Sequence, residues 1–225
     1  MRREGVDFGV RDYAEVVRRV KISVEEHQVP SVTEVAGISM DPFEILISTL
    51  ISLRTKDEVT AQAAKRLFAR ADDPRKMVEL GVEEIQRLIY PAGFYRNKAR
   101  NIVKISEILI DRYQGTVPDS QEALMNLPGV GLKTANLTLS LAFRQDYICV
   151  DIHVHRISNR LGWVKTENPD QTEKELQKVL PREHWIEINE LFVRFGRSVC
   201  TPVSPWCSKC PLDVACPKIG VKKKR

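Results

Sequence analysis

Apolar residues recur along this chain at intervals of three and four. Tyr13, Val16, Val17 and Val20 make one such stripe, and Ile102, Ile105, Ile108 and Leu109 another. Each residue of a helix advances by about 100°, so this spacing returns side chains to one face. The stripes are interrupted at Asp41-Pro42, Asp72-Asp73-Pro74, Pro91-Ala92-Gly93, Gly115 with Pro118, Leu127-Pro128-Gly129 and Asn168-Pro169, each of which reads as a turn or a helix start. The pattern predicts an all-α protein of about ten helices of ordinary length. No internal repeat is visible. No stretch approaches the roughly 18 uncharged apolar residues of a membrane span, and the opening MRREGVDFG lacks the apolar segment of a secretory signal. A reducing compartment is therefore expected, cytoplasmic and nucleoid-associated if the source is prokaryotic.

The turn Leu127-Pro128-Gly129-Val130-Gly131 stands between two helical patterns, Gln121–Asn126 and Lys133–Phe143. It is too short for anything but a tight helix-helix connection, and its two glycines permit backbone angles closed to other residues. Such a turn aims backbone N–H groups outward at the start of the next helix, where the positive end of the helix dipole also lies, and a phosphate fits there. A bare Pro-Gly-x-Gly serves equally well as a connection with no ligand. In the second helix Leu132, Ala135, Leu139 and Ala142 make an apolar stripe, with Lys133 at its margin in the first turn. The helix dipole disfavours a cation at that position, which suits an amine that must act neutral, although an exposed lysine touching phosphate is the simpler reading of that residue alone.

After the apolar run Tyr147-Ile148-Cys149-Val150 comes Asp151-Ile152-His153-Val154-His155-Arg156, which reads as a helix start with Asp151 at or near the cap. His153 and His155, two apart, point to different faces and do not converge on one ion. Cys149 reads as a buried thiol. The other four of the five cysteines fall at Cys200, Cys207, Cys210 and Cys216. Their spacing, C-x6-C-x2-C-x5-C, offers four thiolates and no matching histidine, so it points to a soft metal. Zinc and a four-iron cluster both satisfy it. The length, 225 residues with 43% hydrophobic, allows one large or two modest domains with a real core; Lys and Arg exceed Asp and Glu by 35 to 30, an excess compatible with a polyanionic partner without requiring one. The terminal run Lys222-Lys223-Lys224-Arg225 is expected to be a solvated, frayed end, with a weak phosphate contact as the other reading.

Taken in order, LPGVGLKTAN (127–136), VDIHVHR (150–156) and the four terminal cysteines resemble the endonuclease III family of helix-hairpin-helix DNA glycosylases, over roughly residues 35 to 217. The resemblance implies a structural [4Fe-4S] cluster on Cys200, Cys207, Cys210 and Cys216, with zinc a minor alternative. It places the catalytic lysine at Lys133 and the catalytic aspartate at Asp151. Neutral Lys133 would attack the sugar C1′ of a flipped-out nucleotide, expel the damaged base and form a Schiff base, from which β-elimination cuts the strand. Leu127, Gly129, Val130 and Gly131 would meet the DNA through the hairpin. Phe94, in Pro91–Lys98, would be the wedge entering the gap left by the base, with a core aromatic as the bland reading. Arg54 stands where the family often has a glutamine reaching the opposite strand.

Other departures are Met125, where a relative has an acidic residue, and Thr201–Trp206, which lacks the basic residues often found there. DNA contact near the cluster would then rest on Lys209, Lys218 and the basic tail. The fold expected is two helical domains with DNA in the cleft between them, Lys133 and Asp151 facing each other: a six-helix domain over 35–145 and a cluster domain from 1–34 and 146–225. The function expected is that of a bifunctional glycosylase and AP lyase of base excision repair, acting as a monomer on double-stranded DNA with oxidised pyrimidines or abasic sites. A monofunctional mismatch glycosylase and a non-catalytic DNA-binding iron–sulfur module are the alternatives.

Overall fold

The computed structural model describes residues 9–225, so the first eight residues of the segment read for a secretory signal lie outside it. The described residues contain eleven α-helices, two short 3₁₀ segments and no strand. None of these helices is long and apolar enough to cross a membrane. The chain divides into two compact units, one spanning Val29–Tyr147 and the other joining the described residues up to Gln28 with Ile148–Arg225.

The hairpin unit holds α2 (Ser31–Ile38), α3 (Pro42–Ser52), α4 (Asp57–Phe68), α5 (Pro74–Ile89), α6 (Tyr95–Tyr113), α7 (Gln121–Met125) and α8 (Leu132–Ala142). Helix α2 falls across the expected boundary at 35, which brings this unit to seven helices. Its centre is α3, whose residues Ile45 to Ile51 are all buried; a helix apolar around its circumference can only sit inside. Around it pack α2, α4, α6 and α8, with α5 laid along α6. Capping matches two of the helix starts read from the sequence, Asp41 accepting the N–H groups of Phe43 and Glu44 and Asp73 that of Lys76, and Ser120 caps α7 by accepting from the Ala123 N–H. Gly81 interrupts α5 with a left-handed φ of 75°, making it two helical pieces across a kink.

Helix α8 is buried more completely than an amphipathic stripe suggests. Ala135 and Leu139 are enclosed as expected, but so are Thr134, Asn136, Leu137, Thr138 and Ser140, while Leu132 and Ala142 are only partly covered. Two of the polar residues find partners inside, Asn136 Oδ1 accepting from Gln121 Nε2 at 2.6 Å and Ser140 Oγ donating to the Tyr147 carbonyl at 2.9 Å, whereas the buried Thr138 hydroxyl has none among the described residues.

The cysteine unit holds α1 (Tyr13–Val24), α9 (Ile152–Arg160), α10 (Pro169–Val179) and α11 (Ile188–Ser198). Helix α11 packs on α1 and α9, and α9 on α10. Val16, Val20, Val154, Leu176 and Phe192 are fully buried in its core, each contributing roughly 1.5–3 kcal/mol relative to exposure. Trp163 lies with its ring centroid 5.5 Å from that of Phe192, tilted, and 5.0 Å from that of Tyr13, edge to face, and its Nε1 donates to the Val10 carbonyl at 2.6 Å.

Candidate active site

The hairpin is a type II turn. Pro128 and Gly129 occupy its centre, and the Val130 N–H donates to the Leu127 carbonyl at 3.1 Å. Only one of its two glycines is conformationally required. Gly129 has φ 80°, and a Cβ there would collide with the Asn101 side-chain amide, whereas Gly131 is extended and nothing lies within 4 Å of where its Cβ would be. Gly131 is the N-cap of α8, and its N–H has no hydrogen-bond partner among the described residues. Leu127 and Val130 are buried, so any contact of theirs with a ligand is through the backbone, and Val130 has already committed its N–H. Lys133, half-buried, is the second residue of α8.

Two exposed residues of the same unit come together from distant points in sequence. Arg54 follows α3 and Phe94 precedes α6; both have left-handed backbone angles, φ 52° and 58°, and the guanidinium carbon lies 5.4 Å from the phenyl centroid. Phe94 is 60% exposed, so it is no core aromatic. Beneath them is Lys98, which the pattern reading overlooked. Its ammonium is buried and donates to the carbonyls of Ile51 (2.7 Å) and Leu53 (2.6 Å) and to Thr55 Oγ1 (2.8 Å). Burial pushes this amine down to about 8. Three acceptors call for three N–H groups, which only the ammonium has, so Lys98 is a cation at neutral pH. A signal for it existed: Lys98 lies four residues before Ile102 and seven before Ile105, on the apolar face. Met125 is exposed, and nothing in its own unit explains the choice of methionine.

In the cysteine unit Asp151 is the N-cap of α9. Its Oδ1 accepts the N–H groups of His153 (2.8 Å) and Val154 (2.9 Å), which fixes the carboxyl group in place. The two histidines are separated as expected: His153 Nδ1 lies 3.1 Å from Arg156 Nη2, and His155 Nδ1 lies 2.6 Å from Thr172 Oγ1. Cys149 is buried. From the same helix Arg156 donates to the carbonyls of Gly196 (3.1 Å) and Cys200 (3.0 Å), and Arg160 to those of Thr201 (2.7 Å) and Pro202 (2.7 Å). These two arginines, also unremarked in the sequence, tie the helix begun by Asp151 to the first cysteine.

All four terminal cysteines line one cavity with apolar walls that include Ile157, Phe195 and Leu212. None is in a disulfide. Burial raises the Cys210 thiol to about 12 and pushes Cys207 and Cys216 upward too, with the neighbouring cysteines adding to the shift. Four thiolates can share such a place only around a strongly positive core. No group of three or more ligands among the described residues converges on a single ion. Four thiolate donors in one cavity suit a soft metal centre, for which iron and zinc both have the chemistry. Two donors face the sulfurs: Arg160 Nη1 to Cys200 Sγ and the Leu212 N–H to Cys210 Sγ, both at 3.4 Å.

The basic tail is solvated as expected, but its last residue is tied down rather than frayed. Arg225 donates its N–H to the Pro205 carbonyl (2.8 Å) and accepts from the Ser208 N–H (2.9 Å), with its guanidinium carbon 3.9 Å from the Trp206 ring centroid. A stacking surface beside the second cysteine thus captures a residue that charge alone assigns to solvent. Lys218 is held by Asp213, to its carbonyl at 2.7 Å and its carboxylate at 3.0 Å, and Lys209 lies 5.0 Å from the Trp206 ring centroid. Lys222, Lys223 and Lys224 remain exposed.

Residues 47–182 match the model of the HhH-GPD superfamily of base excision DNA repair proteins. Endonuclease III of Thermotoga maritima is 50% identical over 176 residues, covering 78% of this chain and 83% of that one. The chain belongs to the endonuclease III family. The mouse endonuclease III-like protein 1 is 44% identical over 178 residues, again 78% of this chain but 59% of the longer relative. A solved structure of a trapped endonuclease III–DNA covalent intermediate superimposes with a TM-score of 0.82 at 35% identity, covering 94% of this chain and 97% of that one. As a member of the endonuclease III family the protein is an enzyme, a DNA glycosylase of base excision repair. The all-helical architecture and the helix-hairpin-helix read from the sequence are those of this family.

Proposed function

We propose that the protein is a bifunctional DNA glycosylase and AP lyase acting on double-stranded DNA that carries damaged bases, oxidised pyrimidines foremost, or abasic sites. The observation that carries this reading is a half-buried lysine in the first turn of α8, directly behind a Gly-x-Gly hairpin, on a chain so similar to a relative caught in covalent linkage to DNA. Phosphate is held at the hairpin by outward N–H groups, foremost that of Gly131, where a missing side chain leaves room for close approach. Neutral Lys133 attacks C1′, the C1′–base bond breaks, and the base departs with a proton. Ring opening leaves an imine between Lys133 and the sugar. A proton is then taken from C2′ and the 3′ phosphate leaves, cutting the strand. Asp151, fixed by its two N–H contacts, stabilises the cationic sugar and receives protons. Cys200, Cys207, Cys210 and Cys216 hold a [4Fe-4S] cluster, which when bound supplies a rigid, redox-capable core to its unit and takes no part in bond cleavage.

Borohydride trapping on duplex DNA containing an oxidised pyrimidine tests the reading. The wild-type protein is expected to give a stable covalent adduct, and Lys133→Ala and Lys133→Gln to give none while still binding the duplex. Absence of an adduct from wild type, on this lesion and on an abasic site alike, refutes the lyase assignment.

A further inference from the structure

Arg54 and Phe94 both hold a backbone conformation that side chains rarely adopt, and such angles persist only where the surroundings impose them. What imposes them here is mostly one buried cation. The three acceptors of Lys98 belong to the last turn of α3 (Ile51), to the residue before Arg54 (Leu53) and to the residue after it (Thr55). Terminal carbonyls of a helix lack partners within it, and an ammonium there answers both the orphan acceptors and the dipole. Thr55 Oγ1 also accepts the Gly93 N–H at 3.1 Å, and Gly93 approaches the Arg54 carbonyl so closely that a Cβ could not be accommodated. Lys98 is itself anchored in α6, which begins immediately after Phe94. One side chain thus fastens the turn bearing Arg54 to the turn bearing Phe94.

We propose that Lys98 is the positioning residue of the gap-reading edge: by holding the two turns at a fixed spacing it presents the Arg54 guanidinium and the Phe94 ring to the DNA as a single unit. The inference rests on the reading of Arg54 and Phe94 as DNA-contacting residues. Two exposed side chains on independent turns would act separately, each with its own ordering cost; coupled through one buried ammonium, they rise or fall together. Opposite-base preference then depends on a lysine that touches no base.

A double-mutant cycle on the full-length, cluster-loaded protein decides this. Equilibrium binding is measured to a duplex carrying a tetrahydrofuran abasic analogue opposite guanine and, separately, adenine. Arg54→Ala and Phe94→Ala are each expected to weaken binding roughly tenfold in the wild-type background, inside the range of coupling between residues in contact. In a Lys98→Met background, already weakened by a similar factor, either change should cost less than about twofold more, and the guanine-to-adenine ratio should stay where Lys98→Met alone leaves it. Lys98→Arg, which keeps donors toward the same carbonyls, should restore part of the loss. Full multiplication of the single effects overturns the proposal. No effect of Arg54→Ala or Phe94→Ala in the wild-type background overturns it through the DNA-contact reading, while trapping at Lys133 still judges the glycosylase and lyase reading separately. If Lys98→Met fails to fold by far-UV circular dichroism, Thr55→Val, which removes one acceptor of Lys98 and the acceptor of the Gly93 N–H, carries the same cycle with the same expected and refuting results.

Discussion

Asp151 has two tasks that a single substitution would confuse. As N-cap of α9 it accepts two backbone N–H groups, a role that asparagine fills equally well. As the proposed catalytic carboxylate it must carry a negative charge and take up protons, which asparagine cannot do. Asp151→Asn should therefore leave stability within about 0.5 kcal/mol of wild type, Asp151→Ala should cost about 1 kcal/mol, and both should lose about 10²-fold or more in base release. Chemical denaturation alongside single-turnover kinetics separates the two; equal activity in Asp151→Asn and wild type refutes the catalytic role. Residues whose chemistry demands a particular identity, such as Lys133, Asp151 and the four cysteines, were legible as candidates from the sequence. Lys98 was not, because a lysine in an amphipathic helix is ordinarily counted as solvent-facing, whatever its register. The arginine of the tail was misread for a related reason: its partner, Trp206, is close to it in space and 19 residues away in sequence.

At the scale of the element, the hairpin separates folding from binding within five residues. Gly129→Ala places a Cβ at φ 80° against Asn101 and should cost about 1–2 kcal/mol in stability. Gly131→Ala meets open space in an ordinary conformation, so its stability cost should not exceed about 0.5 kcal/mol, while DNA affinity falls roughly tenfold if phosphate approaches the N–H of this cap. Thermal melts and binding isotherms of the two variants check the contrast; unchanged affinity in Gly131→Ala would remove the phosphate from this position. Periodicity identified the helices well where one face meets solvent, as in α1 and α6. It described α8 poorly, since Thr134, Thr138 and Ser140 look like an outer face until α2, α3 and α7 cover them. Nor could it foresee the break in α5, where the φ of 75° at Gly81 is a backbone property that no hydrophobic pattern records.

At the scale of the molecule, the cysteine unit depends on what its cavity holds. Its core of valines, leucines and aromatic rings closes around α1, α9 and α11, but the segment from Cys200 onward has only short 3₁₀ and turn structure. A cluster held by the four thiolates would cross-link a segment that has little regular secondary structure to hold it. Purified protein is expected to contain about four iron and about four acid-labile sulfides per chain, with broad visible absorption that Cys207→Ser or Cys210→Ser diminishes. One zinc per chain with no visible band would refute the cluster.

The division of the chain also orders its birth. The hairpin unit is continuous, and once Tyr147 has cleared the ribosome every helix of that unit is present. The other unit is split. Lys21 on α1 pairs with Glu187, 166 residues later, so α1 must wait for a partner made long after it, and the cysteines follow later still. Domains fold as they emerge, N-terminal first, which makes the hairpin unit the part that can be finished on the ribosome. The four cysteines come later in the chain than the whole hairpin unit, so a cluster of the kind proposed would be loaded onto a chain with that unit already folded.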